Sequence, residues 1–331
     1  MSSLMLDNLE TNIKAKYDSA LESRDLYFFE TTSETKDVNG VEFQLTHAPS
    51  LLLKPKPEGV GEQDVADPFE NPNPALRITE YGDYNLVLNK FCVVPHHFLI
   101  VTKEFKKQSE PLLPGDLRVT WEVLNQLSQP AMAFYNCGDV SGARVRQINV
   151  SHNSQPHKHI QVIPLPKSKY TPPINALYDR ISGRKAGEIY TIESLPYIHV
   201  LVPLDLNFIG TSTDPEEMEG YMGQMFFGLL DSMIQQLRVN GSQMTMSYNF
   251  ILTKQYMMLV PRQKEHWEVP DKGIRLSVNS MAFAGYLLTK KPEEFEAMKD
   301  ISILDILSEV GVPKNKETSV LIVDSHSELA V

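Results

Sequence analysis

The pattern of apolar and polar positions predicts helices and strands in both halves of the chain. Apolar residues recur at helical spacing from Leu6 to Leu21, and a longer stripe from Met218 to Leu237 follows an Asp214-Pro215 helix start. Another helix is expected after Pro114. Runs typical of strands occupy residues 40–45, 84–88, 93–102, 132–135, 248–253 and 256–260. This mixture predicts an α/β (α+β) fold.

A short internal echo suggests that the fold is duplicated. Tyr84–Lys90, followed by Val94-Pro95, recurs as Tyr248–Lys254, followed by Val260-Pro261. The polar, proline-punctuated stretch 165–190 is the best candidate boundary between the two copies. We therefore predict an N-terminal half of residues 1–170 and a C-terminal half of residues 171–331, packed together in one molecule.

The segment His157–Pro164 carries the most informative chemistry. In a strand, alternate residues share a face, so His157, His159 and Gln161 are expected on one side and the residues between them on the other. Three interpretations are open: an ordinary half-exposed strand face, a metal site that lacks nearby further ligands, or a histidine nucleophile. Gln161 and the preceding polar turn Ser154-Gln155-Pro156 favour phosphate chemistry.

Composition limits the partners and the compartment. The chain has 331 residues, of which 42% are hydrophobic, with a net charge of -11 and a pI near 5.3. This charge argues against nucleic acid or anionic membranes as partners, and a polyanionic substrate would need a local basic pocket. Cys92 and Cys137 are expected to be free thiols. With neither a signal peptide nor a membrane-spanning run expected, the cytosol is the predicted location, with the nucleus left open.

Several further segments carry a resemblance to a known family. From about Leu45 to Lys290 the chain resembles the fungal diadenosine tetraphosphate phosphorylases (ATP adenylyltransferases). These belong to the galactose-1-phosphate uridylyltransferase branch of the histidine-triad superfamily. The matching segments are Ala48–Pro55, Ala66–Phe69, Leu88–Phe91, Phe134–Gly138, His157–Gln161, Ser247–Asn249, Val260–Arg262 and Asn279-Ser280. The resemblance implies two histidine-triad-like halves, each an antiparallel sheet packed with helices. The N-terminal half would carry the nucleophile, and the C-terminal half would complete the nucleotide pocket.

The resemblance implies transfer of an adenylyl group in two steps. His159 would attack the α-phosphate of diadenosine tetraphosphate, release ATP and form an adenylyl-histidine, while His157 would orient it. Phosphate would then accept the adenylyl group and leave as ADP, and the reverse direction would synthesise the dinucleotide. Gln161 would contact the phosphate where the hydrolases of the superfamily carry a third histidine, and this favours transfer over hydrolysis.

The resemblance also implies substrate-binding residues. They are Lys54, Asn89, Lys90, Asn136, Ser154, Gln155, Asn279, Ser280, Met281, Tyr286 and Lys290. Met281 stands where the family usually has Thr, Tyr286 where it usually has Met, and the loop 141–153 is about ten residues longer than the family pattern. A divalent ion such as Mg²⁺ is expected to arrive with the polyphosphate, since the sequence shows no protein metal motif. The other partners are small molecules (ATP, ADP and phosphate), and a monomer is expected.

Two alternatives remain at this stage. The first is a dinucleoside polyphosphate hydrolase, which would not need phosphate. The second is a nucleotide-binding protein that the long loop 141–153 has disabled. Exchange of sulfate for phosphate, which would give adenylyl sulfate chemistry, is a further option that the sequence leaves open.

Overall fold

A computed structural model of the chain describes residues 6–53, 67–141, 157–165 and 172–315. The helices are α1 Leu9–Glu22, α2 Pro114–Gln126, α3 Pro173–Asp179, α4 Leu206–Thr211, α5 Pro215–Val239, α6 Ser280–Ala284, α7 Pro292–Asp300 and α8 Ile303–Val310. None of the helices in these ranges is both long and apolar enough to cross a membrane.

The strands of the first half are β1 Tyr27–Phe28, β2 Thr32–Val38, β3 Val41–His47, β4 Arg77–Tyr81, β5 Tyr84–Leu88, β6 Phe91–Cys92, β7 Phe98–Thr102, β8 Ala131–Cys137 and β9 His159–Pro164. Those of the second half are β10 Val200–Pro203, β11 Tyr248–Leu252, β12 Tyr256–Pro261, β13 His266–Val269, β14 Ile274–Ser277 and β15 Tyr286–Thr289. The predicted α/β (α+β) class, with antiparallel sheets packed with helices, is confirmed.

One eight-stranded antiparallel sheet runs through both halves in the order β10-β12-β11-β8-β9-β7-β5-β4. Its central part is symmetric about the β8–β11 pair. Along the chain, the first half runs β7, α2, β8, β9, and the second half runs β10, α4 and α5, β11, β12. In the sheet, the strands outward from the centre are β8, β9, β7 on one side and β11, β12, β10 on the other, so the two orders correspond. The predicted duplication is therefore present, and the two halves share one sheet.

The sequence echo, however, relates strands that are not equivalent. Tyr84 begins β5 and Tyr248 begins β11, but the symmetric partner of β11 is β8. The second part of the echo fails as well, because Val94-Pro95 precedes β7 whereas Val260-Pro261 ends β12. The echo therefore does not mark equivalent strands, although the duplication that it suggested is present in the strand order.

The two faces of the sheet bury different cores. One face packs against α1, α2 and α5, and the inner residues Ile160 and Val162 of β9 belong to that core. The other face packs against α3, α6, α7 and α8, and Ile163 belongs to it. Val41, Phe43 and Leu45 of β3 also join this second core, because β3 pairs in parallel with β15 near the end of the chain. The first and last parts of the chain are thus packed together.

The segment read as a boundary contains an additional element. The proposed cut between residues 170 and 171 lies outside the described residues, so the division into 1–170 and 171–331 stays a prediction. Just beyond it, α3 buries Ile174, Leu177 and Tyr178 in the second core. The many prolines of this stretch are compatible with a helix because Pro172 and Pro173 stand at its start.

Candidate active site

The site is built at the beginning of β9, where β8 no longer pairs with it. Pairing with β8 ends at Phe134 opposite Gln161, while pairing with β7 continues to Val101 opposite His159. His159 and Gln161 lie on the sheet face opposite the core that contains α1, α2 and α5, as the period of two predicted. Lys158 points the other way and binds the carboxylate of Asp116 at 3.0 Å.

His159 is held in the tautomer that a nucleophile needs. Its Nδ1 lies 2.8 Å from the carbonyl oxygen of His157, which can only accept, so Nδ1 carries the hydrogen and Nε2 keeps its lone pair. The side chain is 7% exposed, and burial lowers its pKa below the ordinary value. The ring is therefore neutral near pH 7, with Nε2 free to attack.

His157 is fully buried, and three oxygens lie within hydrogen-bond distance of its ring nitrogens. Its Nδ1 lies 2.6 Å from the Asp67 carboxylate, and its Nε2 lies 2.7 Å from the main-chain oxygen of Thr102. The Asp67 carboxylate can only accept, so Nδ1 donates to it, while the Thr102 hydroxyl makes a further contact of 3.0 Å with Nε2. The second Asp67 oxygen accepts from the Phe69 amide, and the Phe69 ring lies 5.4 Å from the His159 ring. The Asp67–Phe69 segment thus contacts both histidines.

A buried polar network joins the two halves beside His159. The Asn136 side-chain oxygen accepts from Ser280 N at 3.0 Å, Ser280 Oγ at 2.7 Å and Asn249 Nδ2 at 2.8 Å. Three donors on one oxygen fix the orientation of the amide, so its Nδ2 is the atom left to serve as a donor. Arg262 is fully buried and donates to Asn249 Oδ1 at 2.5 Å, and burial lowers the pKa of this guanidinium to about 9.

A third histidine, His97, lies on the Gln161 side of the site. Asn89 Nδ2 contacts His97 Nδ1 at 2.9 Å while Asn89 Oδ1 accepts from the Phe91 amide, so Nδ1 of His97 is the acceptor and Nε2 carries the proton. Among the described residues that Nε2 has no hydrogen-bond partner of good geometry, although Gln161 is its neighbour. Burial lowers the pKa of His97 to about 4, which keeps the ring neutral.

The chain segments that carry the predicted lysines converge. Lys90 precedes Phe91, Lys290 follows β15, and Lys54 follows the 3₁₀ helix Pro49–Leu53. These segments share a small apolar cluster, whose members are Phe29, Ala48, Leu51, Tyr27, Phe91, Val93 and Leu288. Lys54 itself lies outside the described residues. The arrangement brings basic residues to one region of an acidic protein.

The remaining predicted residues divide into three groups. Asn279 caps α6 by accepting from the Met281 amide, next to Ser280 in the polar network. Met281 and Tyr286 are partly buried and pack against the second core. The remaining residues, Ser154 and Gln155 with loop positions 142–153, lie outside the described residues.

Several residues of the site could not be assigned from the sequence. Asp67 and Phe69 were part of the family resemblance without a role, and Thr102, His97, Asn249 and Arg262 were not assigned one. A signal existed only for His97, which follows another histidine within the strand-like run 93–102. The others act through contacts between residues distant along the chain, which local patterns do not reveal.

Comparisons with known proteins agree with this geometry. A family model described as the Ap4A phosphorylase N-terminal domain matches residues 2–180, and one described as the ATP adenylyltransferase C-terminal domain matches residues 193–313. Diadenosine 5',5'''-P1,P4-tetraphosphate phosphorylase 2 of Saccharomyces cerevisiae is 30% identical over 89% of this chain and 91% of its own length. Protein APA1 of the same yeast is 31% identical over 91% of this chain and 93% of its own length.

Solved structures give the same result. The crystal structure of yeast Ap4A phosphorylase Apa2 is similar with a TM-score of 0.74 at 28% identity, covering 93% of this chain and 96% of that one. The complex of the same protein with Ap4A is similar with a TM-score of 0.72, covering 93% of this chain and 98% of that one. From the family models and the yeast relatives together, the chain belongs to the Ap4A phosphorylase (ATP adenylyltransferase) family of nucleotidyltransferases.

Proposed function

We propose that this protein carries out phosphorolysis of diadenosine tetraphosphate to ATP and ADP, and the reverse synthesis, through a covalent adenylyl-histidine on His159. The observation that carries the proposal is the 2.8 Å contact between His159 Nδ1 and the carbonyl oxygen of His157. It leaves Nε2 as a neutral nucleophile in a chain whose relatives are named for this reaction.

In the first step, Nε2 of His159 forms a bond to the α-phosphorus, and the phosphoanhydride bond to the departing ATP breaks. The ring gains a positive charge as it is adenylylated, and the His157 carbonyl dipole at Nδ1 stabilises that charge. In the second step, an oxygen of inorganic phosphate attacks the same phosphorus, the N–P bond breaks and ADP leaves. His159 returns to its neutral state, so no proton has to be removed from the nucleophile.

The other residues of the site bind the phosphates in this proposal. Asn136 presents its fixed Nδ2, and Gln161 contacts the transferred phosphoryl group where an additional histidine would favour hydrolysis. Lys90, Lys290 and Lys54 supply positive charge for the polyphosphate. We expect Mg²⁺ or a similar ion to enter with the substrate. Asn89, Asn279, Ser280, Ser154 and Gln155 complete the proposed contacts, with Met281 and Tyr286 on the adenosine side.

Product analysis with and without phosphate tests the proposal. Purified protein is incubated with diadenosine tetraphosphate and Mg²⁺, and nucleotides are separated by ion exchange. Phosphorolysis predicts equal amounts of ATP and ADP with phosphate present, and no turnover beyond one equivalent of ATP without it. AMP and ATP formed in both conditions would identify a hydrolase. Binding without release of any ATP would identify a non-catalytic relative. Replacing phosphate by sulfate tests whether sulfate also accepts the adenylyl group.

A further inference from the structure

Gln108 lies at the point where β8 and β9 separate. The β8–β9 ladder ends at the Phe134–Gln161 pair, and Asn136 and His159 would be register partners two residues further on. The Gln108 side-chain amide lies between them instead. His159 N donates to Gln108 Oε1 at 2.8 Å, and Gln108 Nε2 donates to the main-chain oxygens of Asn136 at 3.0 Å and His159 at 3.3 Å. The amide thus takes over the hydrogen bonds that a neighbouring strand would make to His159.

The position of Gln108 is fixed by the chain around it. Lys158 N donates to the Lys106 oxygen at 2.7 Å, and Lys107 forms an antiparallel bridge with His157. The hydroxyl of Tyr135 donates to the main-chain oxygen of Gln108 at 2.8 Å. The Gln108 side chain is only 3% exposed. It is therefore held in place by the fold, independently of any substrate.

The bridging amide of Gln108 increases the separation of β8 and β9 beside His159. Directly paired strands lie about 4.8 Å apart, and register partners present their side chains to the same face. Between Asn136 and His159, an amide and two hydrogen bonds in series replace a single hydrogen bond, so the two strands are further apart there. Because register partners present their side chains to the same face, the wider gap separates the side chains of His159 and Asn136.

We propose that Gln108 is a positioning residue for adenylyl transfer: it fixes the main chain of His159 and sets the gap in which the transferred phosphoryl group lies between His159 and Asn136. The inference rests on the proposed function, since it assigns that gap to a phosphate. The amide suits this role because it offers an acceptor to one N–H and donors to two carbonyl oxygens at once.

Two substitutions separate the hydrogen-bonding role from a merely space-filling one. Gln108→Leu keeps much of the volume and removes all three hydrogen bonds. Gln108→Glu keeps the shape, but an ionised carboxylate would face two carbonyl oxygens, whereas a protonated carboxyl group can accept from His159 N and donate to one of them. Gln224→Glu, at an exposed position of α5, is the matched control.

The measurement is the rate of ATP release in a single turnover without phosphate, from pH 5.5 to pH 9, expressed relative to wild type. We expect Gln108→Leu to be slowed about 100-fold, as for a misplaced reacting group. For Gln108→Glu we expect the relative rate to rise at least tenfold as the pH is lowered, and for Gln224→Glu to stay near one. Affinity for AMP and the far-ultraviolet circular dichroism spectrum are expected to change little.

A rate for Gln108→Leu within twofold of wild type would overturn the inference, and so would a relative rate of Gln108→Glu that does not vary with pH. A fall in AMP affinity equal to the fall in rate would also overturn it, because Gln108 would then act on binding in general. Wild-type protein that releases no ATP would instead contradict the proposed function. The two failures are therefore distinguishable.

Discussion

Replacing Asp67 by Asn tests whether the orientation of His157 controls the position of His159. Asp67 uses both carboxylate oxygens: one lies 2.6 Å from His157 Nδ1, and the other accepts from the Phe69 amide at 2.9 Å. An Asn side chain has one oxygen and one NH₂ group. The substitution therefore removes the charge and also places an N–H group against one of two existing donors.

The expected loss of rate in Asp67→Asn follows from these contacts. A hydrogen bond to a charged group contributes about 1.5–3 kcal/mol and a neutral one about 0.5–1.5 kcal/mol, and a buried donor that loses its partner costs a further 1–3 kcal/mol or so. The Asp67 side chain is 19% exposed, so water can satisfy part of the loss. We take about 2 kcal/mol as the net effect on the productive orientation of His157 and His159, which corresponds to roughly 30-fold in rate.

The assay is the single-turnover release of ATP from diadenosine tetraphosphate by Asp67→Asn without added phosphate. Asp83→Asn, an exposed turn position between β4 and β5, is the matched control and should behave as wild type. Urea unfolding checks that the variant is folded under the conditions of the assay. If folded Asp67→Asn releases ATP within twofold of the wild-type rate, the carboxylate does not position the histidines and the reasoning is wrong.

Three further predictions concern stability and pH. The Asp116 and Lys158 side chains are each 1% exposed, so Asp116→Asn leaves the Lys158 ammonium buried without its counter-charge. We expect this variant to lower the free energy of unfolding in urea by about 3 kcal/mol. The double variant with Lys158→Met should lose less of that free energy. Burial lowers the pKa of His97 to about 4 and that of His199 to about 3, so their stabilising contribution is complete above pH 6.5, declines as the pH falls below 6.5, and is fully lost once the pH has fallen through these values. The free energy of unfolding in urea should be lower at pH 5 than at pH 7, by roughly 2 kcal/mol for each of these two histidines. The pKa of His159 is also lowered, so the single-turnover rate should stay level as the pH falls through 6.5, whereas a decline centred at 6.5 would contradict the assigned environment.

Local patterns predicted the elements whose cause is local. The period of two placed His159 and Gln161 on one face of β9, and the Asp214 side chain caps α5 as its position before Pro215 predicted. The helix was predictable because its cap and its apolar stripe lie within one continuous stretch.

The parts of the fold and of the site that were not predicted depend on contacts between residues that are distant along the chain. The Asp67 carboxylate reaches His157 across 90 positions of the chain, and β3 pairs with β15 from the opposite end of the sequence. His157 itself lies before β9 rather than in it, because the segment around Lys107 runs beside it in place of β8. A continuous strand from His157 was the simplest expectation, and the opening of the sheet at the nucleophile is a tertiary feature.

The most direct test of the account is to trap the covalent intermediate on His159. Protein is mixed with diadenosine tetraphosphate labelled at the α-phosphate, without phosphate, and the labelled peptide is identified by mass spectrometry. We expect one adenylyl group per molecule on His159, labile in acid and stable in base, as is typical of a phosphoramidate. The label should be absent from His159→Ala and diminished but present in His157→Ala. Label that persists in His159→Ala, or that maps to another residue such as Ser154, would contradict the central claim.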